Sequence, residues 1–242
     1  MRNTVVIDCF PEAVARYRQG YAVVAIDVVR ATTTAITIAA SGSRCFPVAT
    51  LKAALELSSS LPDALLAGEQ RGIMPLGFDL NNSPSEFLAR RETGRPVVLI
   101  SSTGTRLCYQ AAQADAVFLA CLRNYDSVAN HLAANFPNVA VIGAGSRGEF
   151  REEDQMCCAW VAERLLQFGY SAKDRNTLDI VRRWSNKPAD AWLCNLSAAY
   201  LRSSGQVADL DFILGHVADL TAPFMLLSAE VVMGQCNVEL QA

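Results

Sequence analysis

The sequence predicts an α/β protein with three layers, α/β/α, around a mostly parallel or mixed central sheet. Short apolar runs rich in β-branched residues alternate along the chain with longer helical patterns. The apolar runs lack polar alternation, which is typical of strands that helices cover on both faces. The chain has 242 residues and is 51% hydrophobic, enough to bury a sizeable core. Alternating strands and helices of this kind favour a layered α/β domain.

The patterns place seven strands, at 4–8, 22–29, 45–48, 64–67, 96–101, 116–119 and 138–142. They place helices near 11–18, 32–41, 50–60, 83–93, 104–113, 124–135 and 152–169. A more polar segment at 172–205 also has a helical pattern and could form a cap. Because no linker, repeat or low-complexity tract interrupts the chain, we expect one domain over residues 1–242.

Composition excludes several classes of function. The net charge is −3 without a basic stripe, so we expect no nucleic-acid partner. No apolar stretch approaches the roughly 20 residues that span a bilayer, and no signal peptide is visible. The eight cysteines show no CxxC pair, which predicts buried, reduced thiols and a cytoplasmic protein. The apolar composition is compatible with a homodimer.

The first polar site follows a predicted buried strand in the stretch AIDVVRATTT, residues 25–34. Asp27 and Arg30 come at the carboxyl end of that strand, the edge where open α/β sheets bind ligands. Thr33 and Thr34 then open a helix whose positive end favours an anion. An alternative interpretation is structural: a threonine caps the helix, and Asp27 pairs with Arg30.

The second site is the loop in LLAGEQRGIMPLGFDLNNSPSEF, residues 65–87. Ser83 with Glu86 three residues later forms a capping box, which explains those two residues without any function. Capping does not explain the charged residues of a loop this long, and such loops are usually functional. The candidates in this loop are Glu69, Arg71, Asp79 and Asn82.

The third site follows the predicted strand at 96–101, in SSTGTR. Small hydroxyl residues around Gly104 would let the backbone approach a phosphate, and Arg106 could supply charge. The pattern is not a Walker A loop. It is also common in plain strand-to-helix turns.

The fourth site is the glycine-rich turn GAGSRGEFREED, residues 143–154. Gly143, Gly145 and Gly148 have the GxGxxG spacing, but the position late in the chain argues against a dinucleotide fingerprint. Asp154 and the glutamates before it suggest a metal ion. Alternatively, these carboxylates only stabilise the first turn of a helix.

Together the four sites combine arginines, hydroxyls and backbone amides for an anion with carboxylates for a hard cation. Mg²⁺ prefers oxygen ligands, commonly one or two carboxylates together with phosphate oxygens. The set therefore predicts a Mg²⁺-dependent enzyme that hydrolyses a small anionic phosphate ester. The alternatives are a non-catalytic phosphate- or sulfonate-binding module and a phosphatase for another small phospho-carboxylate.

The segments IDVVRATTT, GEQRGIMPLGFDLNNSP, SSTGTR and GAGSRGEFREEDQMCCA occur in the order and spacing of one family. In these motifs the chain resembles the 2-phosphosulfolactate phosphatases. The resemblance implies a Mg²⁺-dependent phosphatase with a three-layer α/β/α fold. The type reaction of that family converts 2-phosphosulfolactate to sulfolactate and phosphate, a step towards coenzyme M. Gln70 interrupts the usual Gly-Glu-Arg order, and Ser102-Thr103-Gly104 lacks the usual Asn.

The resemblance and the polar sites together give one set of predicted roles. Catalysis is assigned to Asp27, Arg30 and Asp79, with Asp27 as the nucleophile or as the base for water. The metal ligands are predicted among the carboxylates, as Asp27, Glu69 and Asp154. Substrate contacts are predicted for Thr33, Thr34, Arg71, Asn82, Ser83, Thr103, Gly104, Thr105, Arg106, Gly143 and Gly145.

Overall fold

A ten-stranded sheet organises the protein in a computed structural model. The structure describes residues 2–146 and 148–234, so Cys236 and Arg147 of the glycine-rich turn lie outside it. The strands are β1 Thr4–Cys9, β2 Ala22–Ile26, β3 Cys45–Val48, β4 Leu65–Gly68, β5 Val97–Ile100, β6 Ala116–Ala120, β7 Asn138–Gly143, β8 Ser171–Ala172, β9 Phe224–Leu227 and β10 Glu230–Met233.

The helices follow most of the strands in the chain. They are α1 Ala31–Ala40, α2 Leu51–Ser60, α3 Pro84–Arg90, α4 Gly104–Ala111, α5 Tyr125–Asn135, α6 Glu152–Gln167, α7 Arg175–Trp184, α8 Leu196–Ser203 and α9 Val207–Gly215. A short 3-10 helix, Pro11–Arg16, follows β1, with the proline at its first position.

The sheet consists of two parallel groups of strands that an antiparallel hairpin joins. Its order is β4-β5-β3-β10-β9-β6-β2-β7-β1-β8. Strands β4, β5 and β3 are parallel to one another, as are β6, β2, β7, β1 and β8. The β9–β10 hairpin pairs antiparallel with β6 on one side and with β3 on the other. Because three antiparallel pairings lie between β3 and β6, the two groups run in opposite directions. Five strand-to-strand steps separate β2 from β5, and a twist of roughly 20–25° per step also rotates one group relative to the other.

Alternate residues of the central strands enter two separate apolar clusters. Val24 and Ile26 of β2 pack with α5, α6 and the later helices, whereas Val23 and Ala25 pack with α1 and α4. Because side chains alternate across a strand, this division places one helical layer on each face of the sheet. The predicted three-layer α/β/α class with a mixed, mostly parallel sheet is confirmed.

The predicted elements differ from the observed ones mainly where polar residues intervene. The strand predicted at 22–29 ends at Ile26, since Asp27 turns the chain into α1. The segment 172–205 contains α7 and α8, and a helical cap there stays a prediction, as does the single domain. The sequence did not predict α9 or the β9–β10 hairpin.

The predicted burial of the cysteines holds for only part of the set. Five are buried free thiols, but Cys9 is half-buried and Cys194 is exposed. Within the described ranges, no helix combines the length and apolar character needed to cross a membrane. The homodimer stays a prediction.

Gly68 at the end of β4 has φ near +141°, and a Cβ there would lie 2.1 Å from the carbonyl oxygen of Ile100. We expect Gly68→Ala to lower the free energy of unfolding by about 3 kcal/mol or more, because β4 must move away from β5. Gly20→Ala is the control: Gly20 has φ near +75° and no atom near its Cβ position, so it loses only about 1–2 kcal/mol. Urea unfolding measures both, and equal losses would contradict the packing argument.

Candidate active site

A cavity of about 920 Å³ lies where loops from both strand groups meet. Asp27 follows β2 and Asp154 lies in the first turn of α6 after β7, whereas Glu69 follows β4 and Ser102 follows β5. The volume is in the range of small-molecule sites. Loops that follow strands of both groups therefore line a single cavity.

Asp27 lies in this cavity with one carboxylate oxygen held by the chain. The Ala31 N–H donates to its Oδ1 at 3.2 Å, and its own N–H donates to Thr32 Oγ1 at 2.9 Å. Gly104 allows the close approach on the other side, because a Cβ at position 104 would lie 2.3 Å from Asp27 Oδ2. Among the described residues no donor contacts Oδ2, so this oxygen is available to a ligand.

Burial makes Asp27 and Asp154 hard to ionise. It raises the pKa of the Asp27 carboxyl to about 7, although the hydrogen bond from the Ala31 N–H lowers that pKa, and the charges of Glu69 and Glu153 add to the rise. The pKa of Asp154 is also raised, first by burial and then by the charge of Asp27. Perturbed carboxyl groups that share a cavity are typical of functional sites.

Glu69 joins the loop after β4 to the loop after β5. Its Oε1 accepts a bond from the Ser102 N–H at 2.7 Å. Its Oε2 accepts bonds from the Ser102 hydroxyl at 2.8 Å and from the Gly72 N–H at 2.6 Å. Both oxygens are thus already used by the chain, and the contacts support a role in holding the loops.

Three arginines bring positive charge to the cavity wall. Arg30 is buried, and Asp209 is the partner of its guanidinium. Arg71 is exposed, and within the described part of the chain its guanidinium has no partner. Arg151 is mostly buried and approaches Glu149 only at 3.6 Å. Most of the N–H groups of these arginines are therefore free for an anionic ligand.

Three helix N-termini also point positive charge at the cavity. Helices α1, α4 and α6 begin just after Arg30, Thr103 and Arg151, and all three residues line the cavity. None of them caps its helix with a side-chain hydrogen bond. The chain already uses some first-turn N–H groups, since the Ala31 N–H donates to Asp27 Oδ1 and the Thr105 N–H donates to the Ser101 hydroxyl. The helix dipoles and the remaining N–H groups favour an anion here.

Asn82 provides a further ligand group at the cavity. It is 3% exposed, and its Oδ1 is buried without a hydrogen-bond partner in the described residues. Across those residues, no three His, Cys, Asp or Glu side chains form a metal-binding cluster. Mg²⁺ often uses only one or two carboxylates with substrate oxygens, so Asp27, Asp154 and the Asn82 oxygen fit this cation.

The structure brings half of the predicted site residues to the cavity. Those that line it are Asp27, Arg30, Glu69, Arg71, Asn82, Thr103, Gly145 and Asp154. Gly104 does not line the cavity but packs against the Asp27 carboxylate. Arg30 pairs with Asp209, so the alternative of an internal Asp27–Arg30 pair is not what forms.

The other predicted residues support the loops or lie away from the cavity. Thr33 Oγ1 donates to the Val28 carbonyl at 2.8 Å, and Thr34 Oγ1 is buried without a partner among residues 2–146 and 148–234. The Leu66 N–H donates to Asp79 Oδ2 at 2.8 Å, and exposed Arg106 pairs with Glu12 at 2.9 Å.

Ser83, Thr105 and Gly143 also act within the fold. Ser83 accepts the Glu86 N–H at 3.1 Å, which is one half of the predicted capping box, but the Glu86 carboxylate accepts the Asn81 N–H at 3.1 Å instead of the Ser83 N–H. Thr105 bonds within the turn after β5, where its Oγ1 accepts the Ser101 N–H at 2.9 Å. Gly143 ends β7 and pairs with β1 and β2.

Several residues of the site carried no sequence signal of their own. Tyr200 of α8 lines the cavity, and its hydroxyl donates to the Gly72 carbonyl at 2.6 Å. Asp209 lies on α9, a helix that was not predicted. Ser102 and Arg151 lie inside the quoted motifs SSTGTR and GAGSRGEFREED, but other residues of those motifs were predicted to bind the ligand.

The fold and the cavity fit an enzyme that hydrolyses phosphoric monoesters: carboxylates, arginines and helix N-termini line one cavity beside an α/β sheet. Comparison with known proteins is more specific. The profile of the 2-phosphosulpholactate phosphatase family matches residues 9–222, and the chain belongs to that family.

Individual relatives agree with this assignment. A protein of Deinococcus radiodurans named probable 2-phosphosulfolactate phosphatase is 37% identical over 192 residues, which cover 77% of this chain and 80% of that protein. A Symbiobacterium thermophilum protein of the same name is 34% identical over 194 residues, with the same two shares. One from Caldanaerobacter subterraneus is 33% identical over 198 residues, 79% of this chain and 82% of that protein.

The raised pKa of Asp27 predicts how the stability of the metal-free protein depends on pH. The unfolded chain releases this proton near pH 3.8, whereas the folded chain keeps it to about pH 7. Between these values the unfolded state binds fewer protons, so the free energy of unfolding should fall as pH rises, by an amount on the order of a few kcal/mol.

Asp27→Asn is the comparison, since it cannot ionise. Urea unfolding of both proteins from pH 4 to 8, in the presence of a chelator, should show a smaller fall in the variant. The part of the fall that remains belongs to Asp154 and Glu153, whose pKa values burial also raises. Identical slopes would mean that Asp27 is ionised throughout.

Proposed function

We propose that the protein is a Mg²⁺-dependent phosphatase that hydrolyses 2-phosphosulfolactate to sulfolactate and phosphate, a reaction on the route to coenzyme M. The observation that carries the proposal is Asp27, whose Oδ2 has no donor among the described residues, in a cavity that three arginines and residues at the N-termini of three helices also line. The names of the relatives supply the substrate.

The charge of the cavity supports a substrate with more than one acid group. The substrate carries a carboxylate and a sulfonate beside its phosphate. Arg30 is buried next to Asp27, where it suits the phosphoryl oxygens. Arg71 and Arg151 lack close carboxylate partners and suit the other two groups.

The carboxylates of the site support the cation. Asp27 and Asp154 would hold Mg²⁺ with help from the Asn82 oxygen, and Glu69 is the further predicted ligand. Bound there, Mg²⁺ would polarise the phosphoryl group and offset the charge of the two aspartates.

The chain's own residues account for the rest of the reaction. Arg30 and the N-termini of α1 and α4 bind the phosphoryl oxygens and stabilise the charge that develops on them. Asp27 either attacks phosphorus or accepts the proton of the attacking water, and the Ala31 N–H holds its carboxylate in place. Glu69 keeps the loops after β4 and β5 together, which fixes the wall that carries Arg71.

Phosphate release with and without Mg²⁺ tests this proposal across 2-phosphosulfolactate, phospholactate and phosphoglycerate. We expect Mg²⁺-dependent release from 2-phosphosulfolactate, and Asp27→Asn should lower kcat at least about 1,000-fold while the protein stays folded. Release from phospholactate or phosphoglycerate, but not from 2-phosphosulfolactate, would indicate another phospho-carboxylate as substrate. Thermal stabilisation by all three compounds without any release would indicate a binding module.

Arg71→Gln and Arg151→Gln test the recognition of the two extra acid groups. Each should raise KM for 2-phosphosulfolactate about tenfold or more, as expected for a lost charged hydrogen bond. KM for p-nitrophenyl phosphate, which lacks those groups, should stay within about twofold. Arg18→Gln, at an exposed position outside the cavity, is the control for charge. Equal effects on both substrates would assign the two arginines to the phosphate instead.

A further inference from the structure

Asp209 forms a buried ion pair behind the cavity that the sequence motifs do not include. Its side chain and that of Arg30 are 2% and 3% exposed, and Arg30 Nη1 donates to Asp209 Oδ2. Asp209 lies in the first turn of α9, where an aspartate would ordinarily face solvent near the helix dipole. Here it points into the protein instead.

The second oxygen of Asp209 is held by the start of α3. Its Oδ1 accepts bonds from the Ser83 hydroxyl at 2.7 Å, the Ser85 hydroxyl at 2.5 Å and the Ser85 N–H at 3.1 Å. Three donors on one oxygen and the guanidinium on the other fix the plane of the carboxylate. A carboxylate fixed in this way can orient an arginine.

Arg30 is held at one end only. In the described part of the chain Asp209 is the partner of its side chain, although a guanidinium has five N–H donors. Arg30 lines the cavity, whereas Asp209 does not. The remaining donors are therefore directed by Asp209 but available to a ligand.

We infer that Asp209 is a positioning residue, which holds the Arg30 guanidinium where it binds the phosphoryl oxygens; the inference rests on the proposed function. Asp209 does not touch the substrate. It fixes Arg30 and supplies the negative charge that makes a buried guanidinium tolerable. Helix α9 thereby contributes to the site indirectly, because its Asp209 orients Arg30.

The test measures binding of inorganic phosphate in excess Mg²⁺ by calorimetry, together with kcat for the hydrolysis of 2-phosphosulfolactate. Asp209→Asn should weaken phosphate binding and lower kcat, each about tenfold or more. In an Arg30→Gln background the same substitution should change both by less than about twofold, because there is no guanidinium left to position. A purely structural role predicts the same factor in both backgrounds, which would overturn the inference.

Two further variants serve as a control for charge and as a replacement for Asp209→Asn. Asp211→Asn removes the same charge from an exposed position of α9 and should leave binding and kcat unchanged. If Asp209→Asn does not fold, Ser85→Ala removes one of the donors that fix the carboxylate, and it should weaken phosphate binding about two- to fivefold, again only when Arg30 is present. An equal loss without Arg30 would contradict the inference.

The phosphate measurement also separates this inference from the proposed function. A wild-type protein that binds phosphate but releases none from the ester would refute the catalytic proposal, and the Arg30–Asp209 comparison would still decide the role of Asp209. A wild-type protein that binds no phosphate would overturn the inference itself.

Discussion

The contact between Asp27 and Gly104 is the constraint on which the rest of the site depends. Asp27 ends a strand of one parallel group, and Gly104 begins the helix that follows a strand of the other. Only a residue without a side chain at 104 leaves room for the Asp27 carboxylate. The two halves of the sheet therefore meet at the carboxylate that the proposed chemistry needs.

The charges of the cavity are balanced around that contact. Burial and mutual repulsion make Asp27 and Asp154 costly to ionise, while arginines and helix N-termini make the same space favourable for an anion. A cation with a phosphate ester would satisfy both at once. Asp209 balances charge in a similar way at Arg30, because its fixed carboxylate neutralises the guanidinium without occupying the cavity.

The sequence predicted the parts of the site that follow strands directly. Asp27 and Glu69 could be found because each comes just after an apolar run, and Asp154 because it lies in the polar segment that leads from such a run into a helix. Asp79 lies in the same loop as Glu69, and Arg106 lies in the first turn of α4, but neither lines the cavity. Asp79 accepts the Leu66 N–H, and Arg106 pairs with Glu12. These choices depend on tertiary contacts that no local pattern records.

Asp209 and Tyr200 illustrate a further limit. A first-turn aspartate usually indicates dipole stabilisation, and an aromatic residue on a helix usually indicates packing. Their role follows only from where α8 and α9 dock. The fold class needed no such information, because buried strands and helices alternate along most of the chain.

The β9–β10 hairpin has a consequence for how the protein forms. These are the last two strands in the described chain, yet they occupy the fourth and fifth positions of the ten-stranded order. In the sheet, β3 and β6 are thus joined through residues that leave the ribosome after all the other described strands. During synthesis the edges of β3 and β6 therefore stay unpaired until the hairpin has been made, and unpaired edges are prone to wrong pairing. Completion of the sheet is therefore a late, long-range step that we expect to limit the folding rate.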